Sequence, residues 1–333
     1  MLTDIILPLL LFPALTVLEV TNILPSIQFL GPEIRSSCKP GSPHFIPHTN
    51  NDLFDTRLCG LVSVFHVAMK PELTPFLVYF IGTLAPVAVL FQSFESARKR
   101  RRFTTSHSAL LFGTLGQLVT FAAVMPFYWI CEILSGRTKR RTGKVTQAHA
   151  EAAVFGLFIG WVIPSVAMVA MADPGITGLW QFAPIIGFIA GSIHLLFRPP
   201  TVHSQSGFRT VQAAYIGAFL VASSIHLSTV FKFRSLDDAL AFFFPAMYAV
   251  APTEVVLRHT ANIFQWDFAV GSGSCLLGSL WFAQSVSQLL GLVAWIVVGS
   301  VVFGPGAAFA AIALWRESRL SESYHYEEKP KTL

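Results

Sequence analysis

Glu19 and Asn22, Asp55 and Arg57, and Glu254, Arg258, His259, Trp266 and Asp267 are polar groups set among long apolar stretches. A charged side chain inside a bilayer is costly unless it is paired or faces a cavity, so each such carboxylate is a functional candidate by default. Glu19 and Asn22 share one helix face at i, i+3, where the amide can orient the acid. An apolar wall would keep Glu19 protonated near neutral pH, the state a proton donor needs; alternatively, it lies close enough to a span's end to reach interfacial water. Asp55 and Arg57 at i, i+2 do not share a helix face, and a structural ion pair to another span is as good a reading as catalysis. Glu254 and Arg258 at i, i+4 form a compact set with His259. The candidate catalytic acids are therefore Glu19, Asp55, Glu254 and Asp267, with Asn22, Arg57, His259 and Trp266 as substrate-binding candidates. The plainer readings are a helix N-cap for Asp267 and an interfacial belt aromatic for Trp266.

Asn51-Asp52-Leu53-Phe54-Asp55 has the NDxxD spacing with which UbiA-type intramembrane prenyltransferases hold magnesium and diphosphate. Mg²⁺ uses carboxylates to bridge substrate phosphates. The longer pattern expects an acid where Cys59 stands, and Asp237-Asp238 is followed by Ala241 in place of the third acid of a DDxxD motif. A capped helix start near Asp52 or Asp55 is the simpler expectation. His66, His194 and His226 are lone histidines on apolar segments, expected to pack rather than to ligate, and no metal or other cofactor is expected. The four cysteines, Cys38, Cys59, Cys131 and Cys275, form no CxxC pair, so neither zinc nor a disulfide framework is expected. Phenylalanine is abundant at 30 residues, including Phe242-Phe243-Phe244. Desolvated aromatic faces stabilise cations by up to about 2 kcal/mol, which suits carbocation chemistry, although lipid-facing filler accounts for most rings equally well.

These groups must be positioned by membrane helices. Hydrophobic residues make up 53% of the chain and charged residues 12%. Apolar segments of roughly the 20 residues that cross a bilayer run over 2–24, 73–92, 107–134, 149–172, 176–197, 210–231, 239–257, 268–284 and 288–315. The fold class expected is all-α: a polytopic transmembrane helical bundle of eight or nine spans. It forms one domain over 1–333, with a polar loop plus a short interfacial or re-entrant segment at 25–72 and a cytosolic tail at 316–333. The seventh segment, with Pro245, Pro252 and Glu254, is short and can be re-entrant. The apolar piece 58–69 is too short to span and lies on the interface or dips into the bundle.

Net charge is +5, concentrated in Arg98 to Arg102 and Arg137 to Lys144, runs that suit the anionic cytosolic leaflet. No aromatics interleave with them, so nucleic acid is not an expected partner; the expected partners are membrane lipid and a lipid-soluble prenylated small molecule. If 107–134 crosses once, both runs cannot be cytosolic. Nine spans gather Glu19, Asn22, Asp55, Glu132, Glu151, Glu254 and Asp267 near cytosolic ends, as a binding pocket needs; eight scatter them. The N-terminal span lacks a cleavage site and is expected to be retained. Lys329-Pro330-Lys331-Thr332-Leu333 resembles a KxKxx endoplasmic-reticulum retrieval signal, giving a cytosolic C-terminus. Gly156 with Gly160, and Gly187 with Gly191, match GxxxG, for packing within the chain or for a homodimer seam.

In size, layout and the segment Asp52-Leu53-Phe54-Asp55-Thr56-Arg57-Leu58-Cys59-Gly60-Leu61-Val62-Ser63-Val64-Phe65-His66, the chain resembles fungal integral-membrane terpene cyclases of meroterpenoid and indole-diterpene clusters, as in ascofuranone, macrophorin and paxilline pathways. The resemblance implies a metal-independent cyclase acting on a prenylated substrate. An acid protonates an epoxide or terminal olefin, and the reaction ends by proton loss or hydroxyl capture. UbiA-type prenyl transfer, small-molecule transport and a membrane scaffold are the rival readings.

Overall fold

A computed structural model of the chain describes residues 2–39, 41–46, 49, 51–98, 107–136, 138–139, 143–246 and 255–328. Glu254, most of the Arg98 to Arg102 run and the C-terminal KxKxx lie outside these residues. The described residues are almost wholly helical. The first helix, α1 (Leu7–Ser37), is 31 residues long and runs straight through Pro25, where a loop is expected, and through Pro13 and Pro32. Each proline removes one backbone hydrogen bond, a loss that membrane helices tolerate when neighbouring groups satisfy the freed carbonyl. Glu19 therefore sits in the middle of a long helix and not near its end. The next helix, α2 (Asp52–Ala68), is capped by Asn51, whose side chain accepts from the Phe54 amide. It buries Leu58, Cys59, Val62 and Ala68, and packs against both α1 and α11 (Val256–Ser279), so the short apolar piece dips into the bundle.

The helices that follow are α3 (Thr74–Ala97), α4 (Ser108–Leu118), α5 (Phe121–Leu134), α6 (Gln147–Met171, with a π turn at Phe158–Val162), α7 (Pro174–Trp180) and α8 (Ala183–Phe197). Beyond them come α9 (Phe208–Val230), α10 (Leu236–Phe243), α11, α12 (Val286–Phe303) and α13 (Pro305–Glu328). Among the described residues, five helices are long and apolar enough to cross a membrane, or six if the α7–α8 pair, bent by 63°, is one span. An eight- or nine-span count would rest on helices that are shorter or more polar than these. Two expected spans are revised, and the middle of a third, 239–257, lies outside the described residues, with its ends in α10 and α11. Segment 288–315 is cut by Gly304, whose φ of +88° turns α12 into α13. Segment 107–134 is broken at Val119–Thr120 into α4 and α5, which pack on one another.

That break bears on the two basic runs, because 107–134 need not cross once. At about 1.5 Å per residue, neither the 11 residues of α4 nor the 14 of α5 reaches across a bilayer core of about 30 Å. Arg98, at the end of α3, donates to the carbonyl of Gly143, and Lys139 pairs with Asp4. Arg98, Lys139 and Gly143 thus stand at the same end of the bundle, which also holds the N-terminus of α1. The described parts of both basic runs lie together there.

The opposite end of α1 carries a disulfide between Cys38 and Cys59, which corrects the expectation of none. The two cysteines are 21 residues apart in sequence with no motif around them, and only the return of α2 against α1 brings them together. Asp55 sits at this disulfide end, whereas Glu132 and Glu151 lie toward the basic end, so the expected gathering of acids at one end does not occur.

Both GxxxG motifs serve contacts within the chain. A Cβ on Gly160 would stand 2.4 Å from the Gly187 backbone and 2.7 Å from the Ala183 carbonyl. Gly160→Val is expected to push α6 from α8 at a cost of at least about 1–3 kcal/mol, the usual penalty of overpacking. A fall in the melting temperature of the detergent-solubilised protein would register it; an unchanged melting temperature would contradict this packing.

Between α3 and α13 lies a buried ion network that sequence reading did not find. Glu95 accepts from Arg98 and from Arg316, each at 2.6 Å, and Arg98 also pairs with Glu317. The Arg316 guanidinium lies 4.6 Å over the Phe282 ring. Arg316 and Glu317 are expected in a solvated tail but are buried, because α13 packs along α9 and α3.

Candidate active site

An elongated chamber of about 520 Å³ lies within the bundle, walled by α2, α3, α4, α5, α6, α8 and α11. That is in the range of cavities that hold small molecules. Phe65, Phe80, Phe121, Phe264, Trp161 and Trp180 line one part of it. They contact one another edge-on or tilted, with Phe65 to Phe264 at 5.2 Å and Trp161 to Trp180 at 5.2 Å.

Asp267 opens onto this aromatic part. It lies well inside α11, which begins at Val256, so it is not the N-cap of its own helix. Instead it caps another helix. Its carboxyl accepts the Ala122 amide at 2.6 Å and the Phe121 amide, the first N–H groups of α5. The break at Val119–Thr120 leaves these amides without partners inside α5, and the positive end of the helix favours a carboxylate facing it. Thr120, the N-cap of α5, accepts the Ala123 amide through its hydroxyl oxygen and donates its proton to Glu19 at 2.6 Å.

Glu19 is fully buried behind Asp267 and is not part of the chamber lining. Its second carboxyl oxygen has no hydrogen-bond partner among the described residues. Glu19 and Asp267 thus both hold the N-terminus of α5, and neither has an ion-pair partner among the described residues.

The other expected residues are distributed differently. Asn22 does not reach Glu19; its amide donates to the Leu18 carbonyl at 2.7 Å. The Asn22 carbonyl accepts from Asn262, which also bonds Ser26, and Ser26 lies 3.2 Å from Nδ1 of His259. His259 is stacked on Phe29, with ring centroids 4.0 Å apart. These groups make a polar seam where α1 and α11 cross, and Glu19 and Asp267 occupy its inner end. Trp266 is buried and donates to the Ala246 carbonyl, so it is not a belt aromatic. Asp55 accepts from the amide and hydroxyl of Thr49, and Arg57 is exposed; the two stand at the disulfide end, away from the chamber lining. In the second acidic pair, Asp238 accepts the Arg234 amide beside the Ser235 cap of α10.

Sequence reading missed Thr120 and the polar residues of the chamber's far part. Thr120 stands in an apolar run that also holds Gly113, Thr114, Gly116 and Gln117, so nothing in the sequence singles out the break.

The CtvD-domain family model matches residues 28–321. Terpene cyclase ascI of Acremonium egyptiacum is 23% identical over 290 residues, covering 76% of this chain and 74% of its own length. Terpene cyclase ctvD of Aspergillus terreus is 25% identical over 266 residues, covering 72% of this chain and 76% of its own. No solved structure matches the chain.

Proposed function

The chain belongs to the CtvD-domain family, and on that premise we propose that it is a membrane terpene cyclase that starts its reaction by protonation. Asp267 is the proton donor and Glu19 its positioning partner. The observation that carries this reading is the placement of the Asp267 carboxyl, held by the first amides of α5 and backed by Glu19, at the wall of an aromatic chamber.

The proton on the Asp267 carboxyl passes to the epoxide oxygen or the terminal olefin carbon of a prenyl chain. The cation formed there is attacked by the next double bond, and ring closure moves the charge along the chain. Loss of a proton, or capture by a hydroxyl of the substrate, ends the sequence. The carboxylate left on Asp267 is stabilised by the Phe121 and Ala122 amides and by the α5 dipole. Because these donors are fixed before the reaction, their stabilisation needs no reorganisation. Phe80, Phe121 and Phe264 keep water from the cation and offer it their ring faces. Glu19 lies too deep to touch substrate. Its role is to hold Thr120, the cap of α5.

The basic end faces the cytosol and the disulfide faces an oxidising lumen, which suits residence in the endoplasmic reticulum.

Microsomes carrying the chain, incubated with farnesyl hydroquinone or its terminal epoxide in heavy water, test the reading. Cyclised product is expected with a chelator present. Deuterium should enter the ring skeleton from the olefin and not from the epoxide. No cyclised product from either compound, with Mg²⁺-dependent coupling of farnesyl diphosphate to the hydroquinone instead, would favour prenyl transfer of the UbiA type.

A further inference from the structure

The chamber has a second pole. Trp161 Nε1 donates to the Ile81 carbonyl at 3.0 Å, which fixes the register of α6 against α3. The two helices are antiparallel, so twelve residues back along α6 and twelve forward along α3 bring His149 level with Ser93, about 18 Å away at ~1.5 Å per residue. The aromatic part, with Phe80 and Asp267, lies at the Ile81 level, since Phe80 touches both Phe121 and Phe264. At the other level the lining changes character: Gln92, Ser93, Ser96, His149 and Ser192 all face the chamber. Ser192 reaches that level because Gly191 packs on the Ala152 carbonyl.

A cavity for a pure hydrocarbon has no use for these groups, since buried polar atoms cost free energy unless they are hydrogen-bonded. His149 is held on one side only, with Nδ1 2.8 Å from the Thr146 hydroxyl; no partner of Nε2 is present among the described residues. Gln92 is buried, and its amide nitrogen is 3.2 Å from the Met125 sulfur, a weak acceptor. This pole lies toward the basic end of the bundle, because α3 continues from Ser93 to Arg98.

Building on the cyclase reading, we propose that the Gln92, Ser96, His149 and Ser192 pole is the site that holds the hydroxylated head of the prenylated substrate, with the prenyl chain extended so that its far terminus meets Asp267. Initiation then occurs at the chain end remote from the head, and the distance between the poles selects chain length.

Photo-crosslinking tests the orientation without needing turnover. Two forms of farnesyl hydroquinone are used, one with a diazirine on the ring and one with a diazirine at the chain terminus, on both the wild-type protein and Asp267→Asn. The ring probe is expected to label peptides around His149 and Ser93, and the terminal probe those around Phe264 and Phe121, in both proteins. The unlabelled compound should compete in each case. The reverse pattern, or equal labelling of both regions by each probe, overturns the orientation while leaving the cyclase reading in place. Absence of competed labelling at either pole overturns both. In kinetics, His149→Phe should raise KM about tenfold for the free hydroquinone with kcat little changed, and the difference should vanish for the dimethyl ether; an equal effect on both compounds points to a merely structural histidine.

Discussion

Asp267→Asn is expected to lower turnover by about 10²- to 10⁴-fold, the usual worth of a positioned general acid. The amide is nearly the same shape as the protonated acid and its oxygen can still accept the α5 amides, so the break at Val119–Thr120 and the chamber should persist. What it lacks is a transferable proton. Equal membrane levels of the variant, checked by immunoblot, and retained probe labelling would separate loss of chemistry from loss of fold. Glu19→Gln is expected to be less severe, since Glu19 acts through Thr120 and the new amide oxygen can still accept the Thr120 hydroxyl. Asp55→Asn should leave turnover near wild type, because Asp55 serves the Thr49 turn at the disulfide end. Full activity in Asp267→Asn would sink the assignment, and abolition by Asp55→Asn alone would move the donor to the other end of the bundle.

The second large effect concerns stability. Arg316→Met removes one of the two cations held by Glu95 and leaves that carboxylate undercompensated in a buried place. Breaking a buried pair from one side typically costs about 3–5 kcal/mol, whereas replacing both partners with apolar groups is often neutral. Arg316→Met should therefore lower the melting temperature strongly, and the double change Glu95→Leu with Arg316→Met should recover most of the loss. Recovery is expected because Arg98 and Glu317 remain paired with each other in the double variant. If the double variant is as unstable as the single one, the network does more than balance charge, and the packing of Arg316 on Phe282 carries the difference.

Hydropathy alone made the helical class and the membrane setting legible, since long uncharged runs have no other stable form in lipid. It also placed Glu19 and Asp267 among the acids to watch, on the argument that a carboxyl in such a run needs a reason to be there. Composition could not say that α4 and α5 are two helices, because an apolar run has the same hydropathy whether it crosses or turns back. Thr120 is small enough to fit either arrangement. For the same cause, Asp267 reads as the cap of its own helix in sequence and is the cap of another in space. Arg316 and Glu317 look solvated in a charged C-terminal stretch, and only the packing of α13 against α3 shows them buried against Glu95.

The sequence by itself determined a greasy helical bundle with a few costly acids in it, because transfer free energies belong to residue types and add along the chain. The tertiary structure alone decided which acids meet, which cysteines join, and that Arg98 and Lys139 stand at one end of the bundle. Which acids meet depends on where helices stop and cross, and a single interrupted turn at Thr120 sets that for Glu19 and Asp267.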